Sequence, residues 1–277
     1  MVYHLEYLRS RAILDLYFIP EEPISVGMYN EGNIKKVTSY TINGKRINFI
    51  PSESIKGSMR SLARRLLKSM NTEFKCDKGK HHDGEDINAN DINEYKNKLK
   101  GIFDEEQLNE LSNNQLREFY TALFECPICR LFGSSMLASK LVFSDITTDD
   151  EVFSYTSTAI DRKNRIVREG SLYSIEYIKP DRLYLRIIAD NITKPENKIF
   201  ATLLEFIHKM GIEIGGSKSK GYGLLRLDES SRVRVLNLIP KPISEEDKIK
   251  NINALLLREN YKELTIGDYI VELRSQC

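Results

Sequence analysis

Gly211-Ile-Glu-Ile-Gly-Gly-Ser-Lys-Ser-Lys-Gly-Tyr-Gly223 contains five of the 15 glycines of this chain within thirteen positions. Glycine permits positive φ angles and close approach of a ligand to the main chain, and successive exposed amides form a concavity that binds anions. The candidate phosphate-binding residues are therefore Gly215, Gly216, Ser217, Lys218, Ser219, Lys220, Gly221 and Tyr222. The P-loop and dinucleotide-binding patterns are both absent. A mobile helix-to-strand turn is the alternative interpretation.

Both sides of this stretch predict regular structure. Apolar residues at helical spacing predict a helix over 198–210, which a capping box of Thr193 and Glu196 opens and Gly211 ends. A strand is expected at 224–227. Alternating residues predict a first, central strand over 11–19 and further strands over 140–146 and 183–188. A capped amphipathic helix is expected over 244–258. The mixture predicts an α+β fold.

Residues 37–42 and 45–50 flank Asn43-Gly44, which is the strongest short signal for a β-hairpin with a type I′ turn. The basic residues on and before this hairpin are Lys35, Lys36, Lys45 and Arg46. They make the hairpin a candidate flap that faces RNA. Ordinary solvated charges would give the same pattern, so both interpretations stay open.

A helix is expected after Pro51, with an apolar stripe at Ile55, Met59, Leu62 and Leu66. Lys56, Arg60 and Arg64 form a second stripe at i, i+4 and i+8. Like charges at this spacing repel each other by a few tenths of a kcal/mol unless an anion neutralises them. Ser52 or Ser54 is the expected N-cap, and Gly57 and Ser58 are small residues in the first turn that would let a phosphate approach the start of the helix. Ser54 and Gly57 are therefore candidate RNA-binding residues. A solvated basic face is the alternative.

Residues 71–125 carry 13 acidic residues against 7 Lys and Arg, although the whole chain has a net charge of only +1. The segment has two helical patterns, near 92–102 and 105–124, and is predicted to be an acidic insertion. Cys76, Cys126 and Cys129, with one of His81 and His82, would give the three thiolates and one imidazole of a structural Zn²⁺ site. A redox Cys-x-x-Cys is less favoured, because no thioredoxin-like strand and helix precede it.

The chain of 277 residues has no apolar run long enough to cross a membrane and no apolar N-terminal segment. We therefore expect a soluble, cytoplasmic protein without a membrane partner. A single domain is expected over 1–277, with the insertion at 71–125, a long hairpin region at 147–178 and a C-terminal extension at 229–277. Arg162, Lys163 and Arg165 cluster near the tip of that hairpin.

Four motifs together resemble the RAMP superfamily of CRISPR-associated proteins, and most closely the backbone subunits of type III (Csm and Cmr) effector complexes. They are Ile50-Pro-Ser-Glu-Ser-Ile-Lys-Gly-Ser-Met-Arg60, Cys126-Pro-Ile-Cys-Arg-Leu-Phe-Gly133, Ala159-Ile-Asp-Arg162 with Gly170 and Glu176, and Gly215 to Gly223.

The resemblance implies a ferredoxin-like, RNA-recognition-motif-like core, with the insertion as a lid and the long hairpin as a thumb. It also implies a filament of such subunits along a CRISPR RNA, which presents that guide to complementary target RNA. The residues implied to bind the guide backbone are Lys56, Arg60, Arg64, Lys218 and Lys220. Arg162 and Lys163 are implied to act on the thumb.

The chain departs from this family in one position. Target-cleaving members place an aspartate in the loop before the Ile-Pro-x-Ser motif, but residues 20–50 contain no Asp. By motif spacing the position falls near Lys36, and a lysine cannot hold Mg²⁺. We therefore expect an RNA-binding scaffold that does not cut. The alternative is a metal-dependent endoribonuclease that uses Glu31, the nearest carboxylate, and Mg²⁺.

Overall fold

The structure is a computed structural model that describes residues 8–26, 30–31, 34–70, 76, 89–158, 172–239, 244–257 and 261–276. The strands are β1 (Ser10–Pro20), β2 (Asn30–Glu31), β3 (Ile34–Lys35), β4 (Ser39–Ile42), β5 (Lys45–Ile50), β6 (Leu141–Phe143), β7 (Ile146–Thr148), β8 (Phe153–Ser157), β9 (Tyr173–Tyr177), β10 (Leu183–Asp190), β11 (Ile212–Glu213), β12 (Leu224–Leu227), β13 (Arg232–Asn237) and β14 (Lys262–Thr265).

The helices are α1 (Ser52–Met70), α2 (Ala89–Leu99), α3 (Glu105–Glu110), α4 (Asn113–Tyr120), α5 (Pro127–Phe132), α6 (Lys194–Met210), α7 (Glu245–Leu257) and α8 (Ile266–Ser275). A short π-helical turn covers Thr121–Glu125, and a 3₁₀ turn covers Lys218–Lys220. Within the described ranges, no helix has the length and apolar character needed to span a bilayer.

The central sheet has ferredoxin-like topology. Its core consists of β1, β6, β10 and β12 in the spatial order β12-β1-β10-β6, and every neighbouring pair is antiparallel. Since α1 lies between β1 and β6 in sequence and α6 between β10 and β12, the units follow as β-α-β-β-α-β. The predicted α+β fold and the predicted central position of the first strand are confirmed.

The sheet buries one face because its strands alternate. Ala12, Leu14, Leu16 and Phe18 of β1 are buried, and the residues between them point to the other face. Helices α1 and α6 cover the buried side, and the core of α6 includes Leu203, which is fully buried. Removing such side chains from water contributes about 1.5–3 kcal/mol each. The predicted capping box of Thr193 and Glu196 at the start of α6 is present.

Two smaller sheets extend this core. One has the order β4-β5-β7, and its tight turn places Asn43 and Gly44 at φ angles of 49° and 80°. The predicted hairpin is therefore confirmed, with both central residues in the left-handed region that a type I′ turn requires. The other sheet has the order β2-β3-β9-β8 and contains the base of the predicted thumb hairpin.

Three elements differ from the expectations. The strand predicted over 140–146 is divided into β6 and β7, which pair with different sheets. The helix predicted over 105–124 is divided into α3 and α4, because Ser112 and Gln115 form a capping box that starts a new helix. The C-terminal extension also forms β13, β14 and α8, none of which was predicted.

Candidate nucleic-acid interface and cysteine cluster

Hydrogen bonds hold the glycine-rich loop against the segment that follows β1. The Gly216 amide donates to the Ser25 carbonyl at 3.1 Å, and the Gly223 amide donates to the Pro23 carbonyl at 2.8 Å. Gly215 has a φ of 79°, and a Cβ at this position would lie 2.5 Å from the Ser25 carbonyl oxygen. A side chain would therefore be strained and would also collide with the backbone. These contacts disfavour the interpretation of a loose turn.

Four cations surround this loop, and we call Lys35, Arg65, Lys218 and Lys220 the basic cradle. The Lys35 ammonium occupies the space where Gly216 lacks a Cβ. The Lys218 ammonium donates to the Glu213 carbonyl at 2.8 Å and to Ser58 of α1 at 3.5 Å. The cradle thus joins β3, the glycine-rich loop and α1.

Lys220 is held by an aromatic ring. Its ammonium donates to the Tyr173 hydroxyl at 2.6 Å and lies 4.5 Å from the centre of that ring. The hydrogen bond from Lys220 lowers the pKa of Tyr173. Tyr173 therefore fixes the direction of Lys220.

The cradle carries a cluster of positive charge. Burial lowers the pKa of Lys218, the charge of Glu213 opposes this shift, and the charge of Arg65 adds a smaller lowering. Among the residues that the structure describes, the cradle cations form no ion pair with a carboxylate, and the backbone amides of Ser217, Lys218 and Ser219 have no acceptor. Successive unbonded amides beside such cations suit an anion.

The opposite flank of α1 faces a different partner. The Arg60 guanidinium donates from Nη1 to the Gly133 carbonyl at 2.8 Å and from Nη2 to the Cys129 sulfur at 3.5 Å. Burial, followed by the charge of Arg60, lowers the pKa of Lys56. Lys56 and Arg60 thus form a cysteine-side flank that is separate from the cradle. Arg64, the third predicted residue of this stripe, is half-buried on α1.

The start of α1 already has a carboxylate. Asp145, between β6 and β7, accepts a hydrogen bond from the Ser52 amide at 2.7 Å, so the first amide of the helix has a protein acceptor. Ser54 is half-buried and Gly57 exposed on the turns that follow. The prediction that a phosphate approaches this end stays a prediction, but it must share the site with Asp145.

The hairpin cations are paired, unlike the cradle cations. Lys45 forms an ion pair with Asp149 at 2.6 Å. Arg46 donates to Ser39 at 3.0 Å and lies 3.8 Å from Glu176. Of the two interpretations left open for these residues, these contacts favour that of ordinary surface charges.

Three cysteines meet beside Arg60. The sulfur atoms of Cys76, Cys126 and Cys129 all lie within 4.8 Å of one another, and all three residues are buried. Cys126 caps α5, where its sulfur accepts a hydrogen bond from the Cys129 amide at 3.4 Å. Since Cys76 follows α1 and the other two cysteines follow residue 125, the cluster brings together the two ends of the predicted insertion at 71–125.

The cluster has the chemistry of a metal site. The Cys76 and Cys129 sulfurs are 3.7 Å apart, and a tetrahedral ion with bonds of about 2.3 Å to sulfur would place its ligands about 3.8 Å apart. Cys129 favours the Cys126 thiolate by a hydrogen bond, but contact with Cys76 and burial raise the pKa of Cys126 to about 12. A bound cation reverses this penalty, because it stabilises the thiolates directly.

Comparison with known proteins identifies the family. The model of the RAMP superfamily matches residues 22–226, which include α1, the cysteine cluster and the glycine-rich loop. The chain belongs to the RAMP superfamily. A solved chain described as "Type IV-B CRISPR Complex" is similar in structure, with a TM-score of 0.48 and 16% sequence identity over 88% of this chain and 99% of that chain. No curated protein matches the sequence.

Several predicted residues of this RAMP chain are not placed by the structure. His81, His82, Arg162, Lys163 and Arg165 lie outside the described residues. Glu31 lies in β2, and Lys36 directly follows β3 and is half-buried. Their predicted roles stay predictions.

Two residues of the site were not predicted. Arg65 was overlooked because it lies outside the Lys56, Arg60 and Arg64 stripe, yet it shares a helix face with Ser58, seven positions earlier, which contacts Lys218. For Tyr173 the alternating pattern of residues 172–177 indicates only a position in a strand. Its position at the base of a hairpin beside basic residues was the available signal for a role in the RAMP site.

Proposed function

We propose that this RAMP protein is a CRISPR RNA-binding backbone subunit of a type III effector complex. It grips guide-RNA phosphates with the basic cradle and presents the guide to complementary target RNA. The observation that carries the proposal is that four cations lie together around the glycine-rich loop, beside backbone amides that have no acceptor within the described residues. Other RAMP subunits of the same complex are its proposed protein partners.

The cradle suits a polyanion for physical reasons. Burial of the Lys218 ammonium disfavours its charged form and lowers its pKa, so an anion beside this side chain would stabilise the charge. Phosphates would neutralise the charge and release the counterions condensed on the RNA. Such contacts are independent of sequence, which suits a guide whose sequence varies from one complex to another.

The experiment compares a cradle variant with a matched control. Lys218→Ala/Lys220→Ala should weaken binding to all single-stranded guides by at least roughly tenfold, and should reduce the slope of log affinity against log salt by about 1.4. Lys209→Ala/Lys262→Ala removes the same charge from cations that already have carboxylate partners and were not predicted to face RNA, and should change both quantities little.

Two results would contradict the proposal. Either the wild-type chain copurifies with no RNA and binds none, or the cradle variant matches the control variant in affinity and salt slope. A loss that depends on base sequence would show that these lysines do more than contact phosphates.

We further propose that the subunit holds RNA without cutting it, since residues 20–50 provide no aspartate for Mg²⁺. A complex with this chain as its only backbone subunit should leave labelled complementary RNA intact in Mg²⁺. Regularly spaced, Mg²⁺-dependent cuts that disappear in Glu31→Ala would show instead that it is a nuclease.

For the cysteine cluster we propose a structural Zn²⁺ ion, with His81 or His82 as the fourth ligand. Three thiolates and a neutral imidazole give a zinc site a net charge of −1. The Arg60 guanidinium, which donates to Cys129, would balance it. Because Arg60 belongs to α1, its hydrogen bond to Cys129 would link the zinc site to that helix.

A further inference from the structure

A row of aromatic side chains continues the basic cradle along the base of the thumb hairpin. We call Phe153, Tyr155, Tyr177 and Tyr222 the aromatic strip. In the antiparallel pairing of β8 with β9, Phe153 lies opposite Tyr177 and Tyr155 lies opposite Ile175. Since side chains of a strand alternate between its faces, Phe153, Tyr155 and Tyr177 share one face of the hairpin.

The strip and the cradle meet at the glycine-rich loop. The Tyr177 and Tyr222 rings lie 6.1 Å apart, and Tyr222 follows the cradle residue Lys220 by two positions. On the same face of β9, Tyr173 binds the Lys220 ammonium. A chain whose phosphates contact Lys220 would therefore have its bases beside these rings.

The strip is more exposed than packing requires. Phe153 and Tyr177 form a stacked cross-strand pair with centroids 5.7 Å apart, which stabilises the sheet by itself. Yet Phe153 keeps 44% of its surface exposed, and Tyr155, opposite a buried isoleucine, keeps 57%. Neighbouring exposed rings on one face form a contiguous apolar patch, and such patches mark interaction sites.

We propose that the aromatic strip stacks unpaired bases of the RNA whose phosphates occupy the basic cradle. This inference rests on the proposed function of the cradle. The four cradle cations lie beside backbone amides that have no acceptor within the described residues, which favours an anionic occupant. RNA combines that charge with base faces that stack on aromatic rings. If the occupant were instead a second protein subunit, that subunit would need carboxylates that pair with the cradle cations.

The absence of tryptophan from this chain provides a direct probe. Tyr155→Trp introduces a single tryptophan in the strip, and its fluorescence reports stacking. The probes are an oligoadenylate of about 12 nucleotides and a base-free ribose-phosphate chain of the same length. Both should bind through the cradle, but only the oligoadenylate should quench the tryptophan.

A second pair of variants measures affinity. Phe153→Leu/Tyr155→Leu keeps apolar side chains but removes both rings, and should weaken oligoadenylate binding by about tenfold or more for each lost ring without changing the salt slope. Affinity for the base-free chain should stay unchanged. Phe124→Leu, which replaces an exposed ring in the insertion, is the control and should bind both probes like the wild type. Equal Tm values establish that the variants are folded.

The outcomes separate the two proposals. If the wild type binds neither probe, the proposed function fails. If the double leucine variant binds oligoadenylate like the wild type and Tyr155→Trp is not quenched, the cradle stands and the stacking inference is overturned. Loss of subunit association in the double leucine variant, with unchanged RNA affinity, would also overturn it and assign the strip to a protein partner.

Discussion

The two flanks of helix α1 carry similar cations but place them in opposite surroundings. On one flank Arg65 and Ser58 face the glycine-rich loop, where Lys218 donates to Ser58. On the other flank Arg60 donates to the Gly133 carbonyl and to the Cys129 sulfur. A row of basic residues in a sequence therefore does not define one surface, because the position of each residue around the helix decides which part of the protein its guanidinium faces.

The largest expected effect is on the cysteine-side flank. Cys126→Ser removes one ligand from the proposed zinc site, and the two remaining thiols stay buried without a cation that stabilises their thiolates. The zinc content should fall from about one ion per chain to near zero, and Tm should fall by several degrees. Elemental analysis and calorimetry on protein purified without added metal measure both quantities.

Cys277→Ser is the matched control, because it removes a thiol that belongs to no predicted site. It should retain zinc and Tm. A wild-type protein without metal, whose Tm does not change in Cys126→Ser, would show that the three thiols are an ordinary part of the core.

The next effect compares the two flanks directly. Arg60→Ala should weaken metal binding by about 10- to 100-fold, as loss of a group that supports a metal ligand typically does. It should leave the salt slope of RNA binding unchanged. Arg65→Ala should do the reverse, with an RNA affinity lower by roughly tenfold and a salt slope smaller by about 0.7. A chelator competition and an RNA titration measure the pair.

The proposed difference between the two flanks would be contradicted if Arg60→Ala and Arg65→Ala changed metal binding and RNA binding in the same way. A reduced salt slope in Arg60→Ala would show that its guanidinium also contacts a phosphate, as the sequence predicted. Loss of metal in Arg65→Ala would show that a change on the cradle side of α1 alters the cysteine cluster on its other side.

The sequence predicted the fold best where local signals agree with tertiary packing. The alternation in β1, the capping box of α6 and the Asn43-Gly44 turn are each visible within a few residues, and the structure retains all of them. The predictions that were wrong concern segments whose local sequence pattern is compatible with two structures. Residues 105–124 read as one helix because their apolar spacing is continuous, but Ser112 caps a second helix.

Only part of the site could be predicted. Cys76, Cys126 and Cys129 were identified because their spacing is specific to a metal site. The division of the cations into paired and unpaired groups was not predictable. The partners of Lys45 and Arg60 are Asp149 and Gly133, which lie 104 and 73 positions away in sequence, and no local pattern encodes such contacts.

The smallest effect tests the charge of the cradle itself. Burial and the charge of Arg65 lower the pKa of Lys218 below its ordinary value of 10.5, while Glu213 opposes them. A phosphate in the cradle favours the charged lysine and so raises this pKa, which means that RNA binding takes up protons when the pH is near the lowered pKa. RNA affinity should therefore be constant near neutral pH and should fall as the pH rises through the lowered pKa of Lys218, before an ordinary lysine would titrate.

Two variants test this assignment. In Arg65→Ala one cation that lowers the pKa of Lys218 is absent, so the fall in affinity should move to higher pH. In Lys218→Ala the part of the fall that Lys218 causes should be lost. Fluorescence anisotropy with a labelled single-stranded RNA over about pH 7 to 10 measures all three curves. If the three proteins lose affinity at the same pH, the titrating group lies elsewhere, and the cradle lysine is not in contact with the RNA phosphate.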